Sequence, residues 1–434
     1  MRIRGRGSTS RRARSRAPDA FVDDASARKP PSDPRAQAAA MHDRPLGLLV
    51  LLMAMTSIGP TTLNVLVPAI PQLSRKLGAD IATVQLTVSV YLLALAAGQL
   101  AMGPLSDRFG RRPVLLAGLA LTVGASLLAI VMPTVESLIA VRIAQAIGAS
   151  SGIVIGRAII RDLFDRERAA AIIGLVATVM VVVPTFGPLI GGVLDTAFGW
   201  QTIFMFTAAS ALAVLVWAAV TLPETRGLNT PAGQRQEGFL RDLHALSGSR
   251  SFWGYILVAS FGSGTFFAFL GGGPHVIVTL MGRTSAEYGV WFAISSIGYM
   301  AGNFASSRLS VRHGIDALIW WGIGFEAIGV LTATALAMLP HDFGPAIVFM
   351  PQMIISLGNG MLLPGAIAGA VSVRPQAAGA AAGIIGFAQM GLGALLTQYA
   401  GTLLANPASA MPLAVLMDVL VVALVVSCAA LVRR

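Results

Sequence analysis

Cysteine and charge are both scarce in this chain of 434 residues, which contains one cysteine and only 12% Asp, Glu, Lys and Arg. Since Cys428 is the single cysteine, no intrachain disulfide can form. The chain also lacks CxxC, HExxH and Walker-type motifs, so no motif of these kinds indicates an enzyme or a metal site. Soluble proteins carry about 25% charged residues, and a soluble chain with half that proportion would expose far too much apolar surface.

The abundant residues are those of a helical membrane protein. Hydrophobic residues make up 55% of the chain, the mean hydropathy is +0.74, and there are 47 glycines and 23 prolines. Glycine and proline are more frequent in membrane helices than in soluble helices. The composition therefore indicates an all-α protein that crosses the membrane many times.

Apolar stretches recur along the chain, and each is long enough to cross the ~30 Å hydrocarbon core of a bilayer as a helix. Because lipid offers no partners to backbone N–H and C=O groups, we expect these stretches to be helical. The twelve predicted spans are 46–70, 82–104, 113–132, 137–160, 169–193, 200–222, 252–276, 287–309, 316–338, 343–365, 378–400 and 409–431.

The basic residues between the spans predict the orientation of the chain. The even-numbered connections carry Arg108, Arg111, Arg112, Arg161, Arg166, Arg168, Arg226, Arg235, Arg241, Arg250, Arg308, Arg312 and Arg374. The odd-numbered connections carry only Arg75, Lys76 and Arg283. Since basic connections stay in the cytoplasm, both termini are predicted to be cytoplasmic. The formal net charge of +11 mostly reflects this bias, and no nucleic-acid partner is expected.

Changes in composition divide the chain into four segments. They are a disordered basic tail at 1–45, an N-terminal six-helix half at 46–222, a cytoplasmic linker at 223–251 and a C-terminal six-helix half at 252–434. Whether translation starts at Met1 or at Met41, which would make the tail non-native, stays open. Residues 98–110 align with residues 302–314, and this faint repeat supports two parallel halves. Val311 stands in the second copy where the first has Asp107.

Four sequence blocks carry a resemblance to a known family. The loop Gly103-Pro-Leu-Ser-Asp-Arg-Phe-Gly-Arg-Arg-Pro113 resembles the loop signature of the major facilitator superfamily. The other blocks resemble the superfamily's Bcr/CflA-type multidrug efflux branch. They are RIAQAIG at 142–148 running on to RAIIRDLF at 157–164, GPLIGG at 187–192 and FGWQTIF at 198–204.

This resemblance implies the major facilitator fold, with twelve helices in two halves, and a function in drug export. Small amphipathic or drug-like compounds would cross the inner membrane by alternating access, through a monomer that exchanges them for protons and uses no cofactor. The expected partners are the lipid bilayer, protons and the substrate. Two alternatives stay open: uptake or exchange of a specific metabolite without proton coupling, and a non-transporting membrane sensor. The sensor is disfavoured because the chain shows no long soluble segment.

The resemblance assigns the loop after span two to a cytoplasmic gate, which latches the two halves when the transporter opens outward. Asp107 precedes the third span, so its carboxylate can interact with the positive end of that helix or with neighbouring arginines. The alternative is a basic loop that only obeys the orientation rule. The candidate gate residues are Gly103, Asp107, Arg108, Gly110, Arg111, Arg112 and Asp162.

Arg142 lies inside the fourth span, where a charged side chain costs at least ~2.5 kcal/mol. We therefore expect Arg142 to face a polar interior together with Gln145; the alternative is that it snorkels to the headgroups. The resemblance links Arg142 to proton coupling. The family's acidic partner in span one is replaced by Asn64, an amide that can bind substrate or Arg142 but cannot titrate.

Two acids inside other spans offer a second route to proton coupling. Glu326 lies in the middle of span nine and Asp418 in the middle of span twelve. We predict that one of them carries the proton if transport is proton-driven. The alternative is a protonated carboxyl with a purely structural hydrogen bond.

The remaining candidates lie in spans five and seven. Small residues and a missing N–H let span five pack closely and bend, and the resemblance assigns this block to an antiporter-type motif between the halves. Aromatic side chains beside glycines in span seven suit a cavity for apolar compounds, although facing lipid explains them equally well. These residues are Gly187, Pro188, Gly191 and Gly192 in span five, and Phe266, Phe267 and Phe269 in span seven.

Overall fold

The computed structural model of the protein describes residues 45–226, 246–338, 344–374, 377–404 and 409–432. All regular secondary structure in these ranges is helical, which confirms the predicted all-α class. The predicted tail at 1–45, apart from its last residue, lies outside the described residues, as does residue range 227–245 of the predicted linker.

The described residues before the linker form seven helices. They are α1 Pro45–Asn64, α2 Ile70–Leu77, α3 Ile81–Phe109, α4 Arg111–Ala129, α5 Val135–Leu163, α6 Arg166–Phe198 and α7 Gln201–Thr221. A 3-10 turn at Val67–Ala69 joins α1 to α2, and together they form one apolar segment, Leu46–Leu77. The predicted span at 46–70 covers α1 and the turn, and α2 extends beyond it. We call residues 45–226 the first half.

The described residues after the linker form five α-helices and one π-helical segment. They are α8 Arg250–Pro274, the π-helix His275–Leu280, α9 Ser285–Ala337, α10 Ala346–Ser372, α11 Ala378–Leu403 and α12 Met411–Leu431. At 53 residues, α9 is more than twice as long as a membrane crossing needs. Gly314 interrupts it with a φ of 78°, so α9 supplies two predicted spans. We call residues 246–432 the second half.

Among the described residues, ten helical segments are long and apolar enough to cross a membrane, and a shorter apolar segment covers Val182–Phe198 of α6. When α9 is divided at Gly314 and α6 is included, the helices are consistent with the twelve predicted crossings.

Capping residues mark the N-termini of several helices. Asp80 caps α3, because its carboxylate accepts a 2.7 Å hydrogen bond from the backbone N–H of Thr83. This bond lowers the pKa of Asp80. Thr134 forms a capping box with Ser137 at the start of α5, and Thr284 forms one with Glu287 at the start of α9.

The two halves meet through α6 against the first part of α9 and through α3 against α11. Hydrogen bonds between the halves lie where α3 and α9 begin and where α6 and α11 end. The amide of Gln398 donates to the carbonyl of Ala82 at 2.8 Å, and the backbone N–H of Ala286 donates to the Thr196 hydroxyl at 3.1 Å. These contacts lie at the end of the bundle opposite Arg108 and Arg111. We call the arginine-containing end the basic end and the other the closed end.

Candidate functional site

Arg142 is fully buried inside the first half, so it does not snorkel to the membrane surface. Its guanidinium donates to the backbone carbonyls of Thr87 in α3 and Thr62 in α1, at 3.1 and 3.2 Å. It also lies over the ring of Tyr91, 4.0 Å from the centroid. One guanidinium nitrogen, Nη2, has no hydrogen-bond partner among the described residues. Arg142 therefore holds α1, α3 and α5 together, and no carboxylate of the described part of the chain pairs with it.

Gln145 extends this polar network to a fourth helix. Its side-chain oxygen accepts a 2.6 Å hydrogen bond from Arg142, and its amide nitrogen donates to the Ser126 hydroxyl of α4 at 2.6 Å. Gln145 is fully buried as well. Arg142 and Gln145 thus lie together in a buried polar network. That interior lies among the helices of the first half, and neither residue lines the cavities described below.

Of the two partners that the Asn64 amide could have, substrate and Arg142, it does not bind Arg142 in this structure. Its amide nitrogen donates to the carbonyl of Pro60 at 2.8 Å, and its side-chain oxygen is buried without a partner. The side chain packs against Gly187 of α6, where an added Cβ would lie 2.6 Å from the Cβ of Asn64. The rotation of α1 places the Thr62 carbonyl, rather than the Asn64 side chain, against the guanidinium.

A cavity of about 130 Å³ lies between the two halves. The first half contributes Pro184 and Thr185 of α6, and the second half contributes the rest of the wall. The wall combines aromatic rings with neutral polar groups: Ser263, Phe266, Phe292, Ser295, Ser296, Tyr299, Gln352, Ser356, Asn359 and Leu363. This mixture suits small amphipathic molecules. We call this space the central cavity.

Of the three predicted cavity aromatics, only Phe266 lines the central cavity. Phe267 is buried against α11, where a Cβ on Gly393 would lie 2.5 Å from its ring. Phe269 packs edge-on against Phe349 and lines a separate space of about 50 Å³. Neighbouring residues of a helix point in different directions, so Phe266 and Phe267 could not both face one cavity.

The sequence analysis missed the polar wall supplied by α10. Gln352 and Asn359 are seven residues apart, so they share one face of α10, a largely apolar helix in which Ser356 lies between them. Both side chains are buried, and each has a side-chain oxygen without a partner. Two amides on one face of a predicted span were the available signal for the cavity.

Glu326 and Asp418 occupy different environments. Glu326 is fully buried; one carboxyl oxygen lies 3.5 Å from the Thr265 hydroxyl, and the other has no partner in the described part of the chain. Asp418 is half-buried and accepts a 2.6 Å hydrogen bond from Thr334. Each carboxyl thus has one hydroxyl group beside it, and neither forms a salt bridge with any of the described residues.

The glycines of α6 pack against two different surfaces. A Cβ on Gly191 would overlap the Val65 carbonyl within the first half, whereas a Cβ on Gly192 would overlap the Ser285 carbonyl of the second half. The carbonyl of Pro188 lies 2.5 Å from the position of a Cβ on Gly289 in α9. The motif therefore lies at the contact between the halves.

Beside these glycines, Asp195 closes the contact with a polar interaction. The Ser285 hydroxyl lies 2.7 Å from one Asp195 carboxyl oxygen and 3.1 Å from the Pro68 carbonyl. The second carboxyl oxygen of Asp195 is buried without a partner. Residues from both halves thus complete the closed end.

At the basic end, the candidate gate residues form one cluster within the first half. Arg111 pairs with Asp107 and, at 3.1 Å, with Asp162 at the end of α5. The Arg111 guanidinium also donates to the Ser106 hydroxyl at 2.7 Å. Arg108 lies over the ring of Phe109, and a Cβ on the candidate Gly103 would lie 4.0 Å from the side chain of Val154 in α5.

The positive end of α4 is capped by Glu224, not by Asp107. The Glu224 carboxylate accepts hydrogen bonds from the backbone N–H groups of Arg111 and Arg112, at 2.9 and 3.2 Å. Gly110 makes room for it, because an added Cβ would lie 2.6 Å from a carboxylate oxygen. The φ of 100° at Gly110 also requires glycine.

Comparison with known proteins identifies the family to which the helical bundle belongs. Residues 49–398 match the model of the Major Facilitator Superfamily. The chain is 31% identical over 333 residues to a chloramphenicol resistance protein of Pseudomonas aeruginosa, covering 76% of each chain. It is 30% identical over 348 residues to multidrug resistance protein D of Escherichia coli strain K12, covering 80% of this chain and 86% of that one.

A solved structure shows the same fold at low sequence identity. The bacterial homolog of the human lysosomal transporter Spinster, in an inward-facing and occupied conformation, superposes with a TM-score of 0.71 at 16% identity. The match covers 88% of this chain and 94% of the Spinster homolog. The family consists of transporters rather than enzymes. Similarity to its drug-resistance members is consistent with a multi-pass protein of the bacterial inner membrane. The chain therefore belongs to the Major Facilitator Superfamily, in its branch of Bcr/CflA-type multidrug efflux transporters.

Proposed function

We propose that this transporter exports small amphipathic compounds, including drugs, across the inner membrane in exchange for protons. The observation that carries the proposal is the central cavity, whose wall comes from both halves and combines aromatic with neutral polar side chains. The resistance named in the similar proteins from Pseudomonas and Escherichia supports this direction of transport.

Alternating access requires a cavity between two bodies that open at one end at a time. The structure has such a cavity and a closed end, where Gly192 and Asp195 of the first half contact Ser285 of the second. The positive-inside rule assigns the basic end to the cytoplasm, so we propose that this conformation is closed towards the periplasm.

The cluster around Arg111 would act as the cytoplasmic gate in the opposite conformation. In this structure the Asp107 and Asp162 pairs hold the ends of α3, α4 and α5 together inside one half. Such a cluster keeps this surface rigid, so that it can move as one body towards the second half. Asp107 is the exposed member of the pair and is available for a partner there.

The buried Arg142–Gln145 network and the central cavity would have separate functions. Arg142 and Gln145 join four helices of the first half, so we assign them to holding that half together while it moves. The central cavity binds the substrate. We further propose a monomer of two six-helix halves, at 46–222 and 252–434, joined by the linker at 223–251. It needs no cofactor and no nucleic acid.

One observation favours a different transport function. Asn64 stands where the family resemblance implies an acid, and its side-chain oxygen is buried without a partner among the described residues. This would suit uptake or exchange of a specific metabolite without protons. The buried Glu326 gives the second half an acid of its own, which is why proton exchange remains the first proposal.

Drug susceptibility tests the export function. A strain that lacks its own efflux pumps would express the wild type, Arg142→Ala, Phe266→Ala and the control Phe387→Ala, whose exposed ring lies outside the central cavity. We expect the wild type and Phe387→Ala to raise the inhibitory concentrations of chloramphenicol and ethidium, and the other two variants to lose most of that protection. Equal protection by Phe266→Ala and Phe387→Ala, at equal membrane expression, would remove the central cavity from the proposal.

A further inference from the structure

We propose that Glu326 is the group that carries the exchanged proton, and that Thr265 and Asn359 connect it to the central cavity. This assignment rests on the proposed exchange of a substrate for protons. It names one residue for the task and gives a route by which a substrate in the cavity can affect a carboxyl that does not line it.

Three side chains form the connection. The Asn359 amide borders the central cavity and donates a 3.0 Å hydrogen bond to the Thr265 hydroxyl oxygen. The same oxygen lies 3.5 Å from a carboxyl oxygen of Glu326. The path from cavity to carboxyl therefore passes through one amide and one hydroxyl, all of them buried.

The hydrogen bonds of Thr265 indicate which form of Glu326 fits this conformation. A hydroxyl has a single proton, and the carbonyl of Gly262 lies at 2.8 Å, well placed to accept it. The Thr265 oxygen then accepts from Asn359 and has room to accept a second bond. A protonated Glu326 can donate that bond, whereas a carboxylate would have to compete with Gly262 for the only proton.

Glycines leave the space in which the Glu326 side chain lies. A Cβ on Gly358 of α10 would lie 2.8 Å from the Glu326 Cγ atom, and a Cβ on Gly262 of α8 would lie 3.6 Å from its unpaired oxygen. Gly322, one turn before Glu326, lets α9 approach the Gly358 carbonyl closely. The carboxyl is thus enclosed by α8, α9 and α10.

No charged group faces Glu326 from the helices packed against this part of α9, within the residues that the structure describes. Helix α10 contains no titratable residue, and α8 carries only Arg250 and Tyr255, the latter bonded to Asp316 ten residues before Glu326. In α12, Cys428 is buried and Asp418 is bonded to Thr334, about two turns further along α9. A carboxylate here would be an uncompensated buried charge, which is strongly unfavourable.

The proton can leave when a substrate changes the bonds of Asn359. A polar group of the substrate that takes the Asn359 N–H frees an electron pair on the Thr265 oxygen, and a water from the cavity takes the place of the amide there. Thr265 then accepts the Glu326 proton while it turns its own hydroxyl proton from the Gly262 carbonyl to that water. Glu326 becomes a carboxylate, water becomes hydronium, and Thr265 is unchanged. Release of the substrate restores the Asn359 bond and favours protonation again.

Proton release on substrate binding tests this assignment. The purified protein in detergent would be mixed with chloramphenicol or ethidium in weakly buffered solution containing a pH-indicator dye. We expect about one proton released per molecule bound by the wild type and by the control Asp418→Asn, and none by Glu326→Gln, whose affinity should not vary with pH. Proton release by Glu326→Gln equal to the wild type would overturn the assignment.

Other outcomes separate this inference from the export function. A wild type that binds neither compound contradicts both proposals, whereas binding without proton release contradicts only this one. If Glu326→Gln does not fold, Thr265→Val provides the second test, because it keeps the carboxyl and removes the hydroxyl. We expect Thr265→Val to slow proton release at least about tenfold in stopped-flow measurements. Release at the wild-type rate would exclude the connection through Thr265.

Discussion

Replacing Gly192 by alanine tests whether the closed end is a conformation that the transporter must leave and re-enter. The added Cβ would overlap the Ser285 carbonyl and lie 3.1 Å from the Ala286 Cα atom, both in the other half. Since these are backbone atoms, only separation of the halves relieves the overlap. Overpacking costs about 1–3 kcal/mol. We therefore expect the equilibrium to shift about 5- to 150-fold away from the closed end.

A matched variant separates this effect from helix propensity. Alanine stabilises a helix by up to about 1 kcal/mol relative to glycine, but it does so equally in both conformations. Gly124→Ala in α4 is the control, because nothing lies within 4 Å of its added Cβ. It should change the unfolding temperature without changing the balance between conformations.

Distances between spin labels at the two ends of the bundle measure the shift. Labels at Glu136 and Arg283 report on the closed end, and labels at Phe109 and Val311 report on the basic end, with Cys428→Ser to remove the native thiol. In Gly192→Ala we expect the first distance to increase and the second to decrease. If Gly192→Ala gave the same distance distributions as Gly124→Ala, the proposal that the two halves separate at the closed end would be refuted.

Two further predictions concern the first half. Glu224→Gln removes the charge that caps α4 and should destabilise the protein by about 0.5–2 kcal/mol, seen as a lower unfolding temperature in detergent. The control is Glu136→Gln, an exposed acid in the first turn of α5, which should have a smaller effect because no described backbone N–H is bonded to it. Arg142→Lys cannot keep all its bonds and should lose about 1.5–3 kcal/mol for each one broken, whereas the exposed Arg161→Lys on the same helix should melt like the wild type. Unchanged melting of Glu224→Gln or Arg142→Lys would contradict the corresponding role.

The sequence predicted the helices well because hydrophobic length is a local property. The predicted spans at 287–309 and 316–338 correspond to the two parts of α9, and the glycine between them, Gly314, has the left-handed φ that separates them. The break between Asn64 and Ile70 was not predicted. It depends on how α1 and α2 pack against the other helices, which no local pattern shows.

The site was predicted less completely, because it depends on helix rotation and on contacts between distant segments. The cost of a charge in lipid was enough to place Arg142 in a polar interior. It did not show that the Thr62 carbonyl, rather than Asn64, would be its partner. Glu224 caps α4 from 113 residues away, and no spacing rule indicates such a contact.

The most direct test of the whole account is proton-driven transport by the purified protein. Proteoliposomes with an acidic lumen would be diluted into neutral buffer with labelled chloramphenicol, while an internal dye reports the lumen pH. We predict accumulation above the external concentration together with a substrate-dependent rise in lumen pH. Glu326→Gln should lose both, and a protonophore, which dissipates the pH gradient by itself, should abolish the accumulation. Uptake that only equilibrates, or that is unaffected when the pH gradient is removed, would contradict export by proton exchange.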